Sequence, residues 1–157
     1  MKAIRPAVLG LALLLSIPAS ASAQTLDKKV LSFAAAEKIA AAAADAARAR
    51  GVGVVIAVVD DGGHLILLHR LDDTQVASVN VGIGKARTAA IYRRPSREFE
   101  EQIRAGRIAA LALADSTPLQ GGVPIRLDGK VIGAIGVSGD TPQVDEAIAI
   151  VGANAFK

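Results

Sequence analysis

The sequence has 157 residues, of which 52% are apolar, 3% aromatic and 21% charged, with 18 Lys+Arg against 15 Asp+Glu and no cysteine. Such a length fits one domain around one core; the apolar content excludes an intrinsically disordered chain, and the absent thiols exclude a disulfide scaffold or a cysteine zinc site. Phe33, Tyr92, Phe99 and Phe156 are too few to stack on nucleobases, so nucleic-acid binding is not expected.

The chain opens on a secretory pattern. Lys2 and Arg5 form a charged start, Ala7 to Ile17 an apolar stretch, and Ala21-Ser22-Ala23 a small-residue cleavage site. Cleavage before Gln24 is expected, dividing the chain into a signal peptide, 1–23, and a single domain, 24–157. The apolar run falls short of the ~20 residues that span a membrane, and no second run follows, so a soluble periplasmic or secreted protein without a membrane span is expected. Lys2 and Arg5 are not adjacent, which argues against twin-arginine export with a cofactor already inserted. They carry two of the three excess positive charges, so the formal charge falls from +3 to +1 on cleavage. Met1 leaves with them, and the remaining chain contains no sulfur.

Asp27 to Arg50 is an alanine-dominated stretch closed by Gly51, expected as one long helix. Gly53 to Asp60 is a continuous β-branched run, Asp61-Gly62-Gly63 a turn and His64 to Arg70 a second run, together a β-hairpin. From Thr74 to about Tyr92, Val76, Val79, Ile83, Ala86 and Ala90 recur at helical spacing, and Pro95 ends the segment. Shorter helical pieces are expected over 96–105 and 107–115. Val123 to Leu127 and Lys130 to Ser138 form strands around Asp128-Gly129, and Asp145 to Phe156 a closing helix. Two hairpins imply antiparallel pairing, so the fold class is α+β.

Motif tests remove several chemistries. Gly84-Lys85 lacks both the glycine five residues upstream and the hydroxyl downstream that a phosphate loop uses, since Val79 and Ala86 stand there. Gly136-Val137-Ser138-Gly139-Asp140 misses the outer glycine of a nucleophile elbow. His64 and His69 lie five apart on one strand; strict alternation puts them on opposite faces, His69 with Leu65 and Leu67 and His64 with Ile66, Leu68 and Arg70, so they do not clamp one metal together. Gly82 and Gly84 inside a helix each cost about 1 kcal/mol relative to alanine. Either close packing requires a bare backbone there, or a flat ligand lies against it. A tetrapyrrole in that place would meet Lys85 and Arg87 with its propionates, and Thr88 or Tyr92 with its iron.

The blocks DDGGHL (60–65), RLDD (70–73), KARTAA (85–90), GGVPI (121–125) and DGKVIGAIGVSG (128–139) make the chain resemble the GlcG/HbpS family, also called the haem-degrading or PduO C-terminal-like domain. The resemblance covers about residues 27 to 156. It implies a five-stranded antiparallel sheet packed with helices, a homo-oligomer, often an octamer, and in some members haem binding outside the cytoplasm. Other members are linked to glycolate use. His64, Arg70, Lys85 and Thr88 fall inside the matching blocks, and Arg87 and Tyr92 beside them complete the candidate set for haem, with His64 as the candidate metal ligand. Leu71 replaces a more usual methionine, so an axial ligand must come from His, Tyr, Lys, a hydroxyl or water. The leading expectation is an exported haem- or tetrapyrrole-binding protein; the alternative is an enzyme of haem degradation or of small hydroxy acids, for which His64 with Asp60 or Asp61 is the only nameable acid–base pair.

Overall fold

The computed structural model describes Gln24 and residues 26–156, so the expected signal peptide, 1–23, lies outside the described residues. Leu26 to Leu31 belong to no helix or strand, and the first helix, α1, begins only at Phe33 and ends at Arg48. Ser32 sets that start: its backbone is extended, and its hydroxyl accepts from the Ala35 N–H at 3.2 Å. A helix beginning at Asp27 would have needed another cap.

After α1 come β1 (Val55–Asp60), β2 (Leu65–Arg70), α2 (Ser78–Ile91), α3 (Arg97–Arg104), a 3-10 turn over Ile108–Ala112, β3 (Gly122–Leu127), β4 (Lys130–Ser138) and α4 (Pro142–Asn154). Thr141 caps α4 and Pro142 occupies its first turn, so the closing helix starts earlier than its apolar periodicity indicates. The strands form one antiparallel sheet in the order β2-β1-β4-β3. The α+β class therefore holds, with four strands among the described residues rather than the five that the resemblance implied. The stretch between the 3-10 turn and β3 joins no ladder; it runs beside α2, where the Thr117 N–H donates to Thr88 Oγ1 at 2.7 Å.

The central strands carry side chains into both layers. On one face Ile56, Val58, Ile135 and Val137 pack with Ile39, Ala40 and Ala43 of α1 and Ile148 and Ala149 of α4. On the other, Ala57, Val59 and Ala134 meet Ala86, Ala89 and Ala90 of α2. Small residues dominate this second layer, so α2 lies close to the sheet: a Cβ on Gly82 would sit 3.1 Å from Val55 Cγ1. Gly84 faces Thr117, whose side chain already occupies the space a Cβ would need. Both helical glycines are thus accounted for by close packing, and no flat ligand is required to explain them.

Candidate functional site

The six candidate side chains do not converge; the helix and hairpin distribute them over four places. Lys85 points into the core. Its side chain is 4% exposed, and Nζ donates to Asp145 Oδ2 at 2.7 Å and to the Val137 carbonyl at 3.0 Å. Burial pushes the Asp145 carboxyl above its ordinary range, and Lys85 together with the backbone N–H groups of Asp140 and Gly139 offsets only part of this. An ammonium held between α2, β4 and α4 is not on the surface where a propionate would meet it.

Thr88 and Tyr92 occupy the side of α2 that faces the loop before β3. Thr88 Oγ1 donates to the Gly84 carbonyl at 2.8 Å while accepting from the Thr117 N–H, and Tyr92 OH donates to the Ala114 carbonyl at 2.7 Å. The Tyr92 ring also stands edge-on to Phe99, centroids 5.1 Å apart. These hydroxyls fasten loop to helix: Thr88 is buried, and the half-buried Tyr92 commits its proton to the Ala114 carbonyl.

His64 and Arg87 share the third place, the tip of the β1–β2 hairpin. The turn is organised by Asp60, whose Oδ1 accepts from the N–H groups of Gly62 and His64, each at 2.9 Å. The imidazole is 81% exposed, with Nδ1 3.4 Å from the same carboxylate oxygen. Burial alone would push the Asp60 carboxyl upward, but the hydrogen bonds from His64 and Gly62 and the imidazole's charge outweigh it and hold the carboxyl below its ordinary value. Arg87 closes over this turn: Nε donates to the Gly63 carbonyl at 3.2 Å, and Gly63, with φ +82°, has no room for a side chain beneath the Arg87 methylenes. Arg70 stands at the other end of β2, six residues and roughly 20 Å from His64, with a terminal nitrogen donating to the Thr74 carbonyl at 3.0 Å.

The hairpin also departs from strict alternation. Its register shifts between Val58 and Val59, placing Leu65 opposite Val59 and Leu67 opposite Val58. Ile66 consequently packs with Leu67 on the α1 side, while Leu65, Leu68 and Arg70 lie opposite Val59, Ala57 and Val55, whose side chains face α2. The expected grouping of Leu65 with Leu67 and His69, and of Ile66 with Leu68, fails for this reason. His69 pairs with Ile56 and is half-buried on the α1 side.

Two clefts adjoin these places, one at Arg70 and one beside the hairpin turn at Asp61. One, about 490 Å³, is lined by Arg48, Val52, Arg70, Leu71, Asp72 and Asp73 among others. The other, about 630 Å³, lies where the segment 26–29, Asp61, Arg93 and the β3–β4 turn meet. No signal in the sequence had singled out Arg93 or Arg126 as cleft residues; each is made so by the fold. Among the described residues no group of three or more His, Asp or Glu is placed to hold a metal ion, and no helix is long and apolar enough to cross a membrane.

Residues 31–154 match the family model described as haem-degrading protein HbpS-like. The protein GlcG of Escherichia coli K12 is 44% identical over 111 residues, 71% of this chain and 83% of the relative. Among solved structures, HbpS superposes with a TM-score of 0.79 at 30% identity, covering 83% of this chain and 93% of that one. A haem complex of PduOC superposes with a TM-score of 0.74 at 26% identity, covering 81% and 95%.

Proposed function

The chain belongs to the HbpS-like family, and from that premise we propose that it is an exported protein that binds haem or a related tetrapyrrole at the β1–β2 hairpin tip, with His64 toward the iron and Arg87 toward a propionate. The observation that carries this reading is the exposed His64 imidazole with a carboxylate behind its Nδ1. A carboxylate in that place favours the tautomer that leaves Nε2 as the outward lone pair, the arrangement usual behind metal-ligating histidines. A sulfur-free chain after cleavage offers His, Tyr, Lys or hydroxyl donors, and Lys85, Thr88 and Tyr92 already have partners inside the fold. Of the two histidines His64 is the exposed one, so the residues present fit the group. The haem complex of PduOC supports the ligand class. Arg70, Lys85, Thr88 and Tyr92 are assigned to the frame that holds the hairpin and α2 in place.

Hemin titration of the purified protein, followed by the Soret band, tests this. His64→Ala is expected to abolish or displace the band, and Arg87→Ala to weaken binding about tenfold, the scale of one charge-assisted contact. His69→Ala and Thr88→Ala should still saturate. An unchanged titration in His64→Ala, or no band in the wild type, overturns the assignment.

Membership of a family described as haem-degrading favours one second reading, haem degradation. Bleaching of the Soret band with release of iron under a reductant supports it; a complex stable under those conditions leaves binding as the function.

A further inference from the structure

The larger cleft carries a charge imbalance that the tetrapyrrole reading does not use. Lys28, Lys29, Arg93, Arg126 and Lys130 line it, against Asp27, Asp61 and Asp128. Lys28 bridges to Asp61 at 2.7 Å and Lys29 to Asp128 at 3.5 Å, which leaves Arg93, Arg126 and Lys130 without a carboxylate within 4.0 Å among the described residues. The Arg126 guanidinium is nonetheless held in place. It donates to the Arg93 carbonyl at 2.7 Å and to the Gly129 carbonyl at 3.4 Å, neutral acceptors that orient the group while leaving its charge uncompensated and its other N–H groups available.

Arg93 has an unusual backbone. It follows α2 in the left-handed region, φ +57°, where glycine ends a helix without strain. Asp128 is also left-handed, at +50°, but with Gly129 at +76° it forms the tight turn of a hairpin, a sufficient reason for it. Arginine at 93 bears the backbone cost; it lines the cleft and supplies the carbonyl that anchors Arg126. Leu127, Val131 and the buried Ile132 supply an apolar wall.

We propose that this cleft binds a small organic carboxylate, its anionic end on Arg93 and Arg126 and its hydrocarbon body on Leu127, Val131 and Ile132. Paired guanidinium groups match a carboxylate's geometry, and the apolar wall selects against an inorganic anion of the same charge. The carboxylate comes either from a free acid or from a tetrapyrrole propionate, and the cleft does not depend on His64.

Calorimetric titration of the purified protein with hexanoate, acetate and inorganic phosphate decides the matter. Hexanoate is expected to bind at least tenfold more tightly than acetate, because four added methylenes meet the apolar wall. Arg126→Gln should weaken hexanoate binding about tenfold. Arg93→Gly should weaken it similarly while raising the melting temperature, since glycine removes the left-handed cost; lost affinity in a more stable protein is not misfolding. Hemin displacing hexanoate assigns the carboxylate to a propionate, and both bound together assign it to a free acid. Phosphate binding as tightly as hexanoate, hexanoate affinity unchanged in both variants, or no binding of hexanoate overturns the proposal. His64→Ala, which tests the tetrapyrrole reading, is expected to leave hexanoate affinity unchanged, so the two readings fail separately.

Discussion

A lysine side chain enters a core only where a carboxylate meets it, and Lys85 meets Asp145 with both side chains under 5% exposed. Replacing Lys85 by methionine keeps most of the volume but leaves the carboxylate buried and unpaired, at a cost of about 3–5 kcal/mol at neutral pH. The pH dependence follows from the direction of the Asp145 shift. Its folded value already lies above the ordinary 3.8, so the folded state binds a proton that the unfolded chain does not. The stability linked to that proton is fully present below 3.8 and is lost as pH rises through the folded value. Without Lys85 the folded value rises further. Lys85→Met should therefore approach wild-type stability as pH falls toward 4, and urea denaturation at several pH values checks this; a constant deficit across the range contradicts it. Sequence alone identified Lys85 as notable but gave it the opposite orientation. Its partner lies 60 positions away on another helix, and no local spacing announces such a pair. The turn that presents His64 was legible because Asp60 to His64 is a local segment of turn-forming residues.

At the scale of elements, α2 is where two small terms of opposite sign compete. Alanine at a helical glycine gains about 1 kcal/mol in propensity, but at position 84 the new methyl meets the Thr117 side chain, which is tied to Thr88 through its N–H. Crowding in a packed layer costs about 1–3 kcal/mol, so Gly84→Ala is expected to lower stability despite the better helix former. Thr117→Gly in the same chain should recover part of the loss, and thermal melts of the single and double variants measure it. Stabilisation by Gly84→Ala alone would show that the loop yields. The hairpins were legible from Asp61-Gly62-Gly63 and Asp128-Gly129, since tight turns advertise themselves in residue type. The register shift at Val58/Val59 was not, because a bulge changes which residues pair without requiring a distinctive residue. For α1, counting Val30 and Phe33 with the alanine row extended the expected helix upstream to Asp27, and a single hydroxyl, Ser32, decided its start.

For the whole molecule, the alanine-rich layers explain how a chain with few aromatics closes a core: α1 buries Ala36, Ala40, Ala43, Ala44 and Ala47 beside Ile39, so helices approach closely without large side chains. The same composition leaves large apolar residues outside. Val76 is 72% exposed, Ile108 70% and Leu111 63%; a water-exposed monomer of this size gains nothing from presenting them, and contact with further copies would remove them from water. The expected species is a homo-oligomer of chains that begin at Gln24, as the cleavage pattern and the family resemblance imply. Native mass spectrometry of protein expressed from the full sequence reads both properties at once, protomer mass for the cleavage point and particle mass for the number of copies. Ile108→Asp with Leu111→Asp is expected to lower the particle mass while leaving the helical circular-dichroism signal intact, because both side chains already face solvent in the single chain. A wild-type particle of one protomer would overturn the assembly, and a protomer retaining residues 1–23 would overturn export by cleavage, each without bearing on the other.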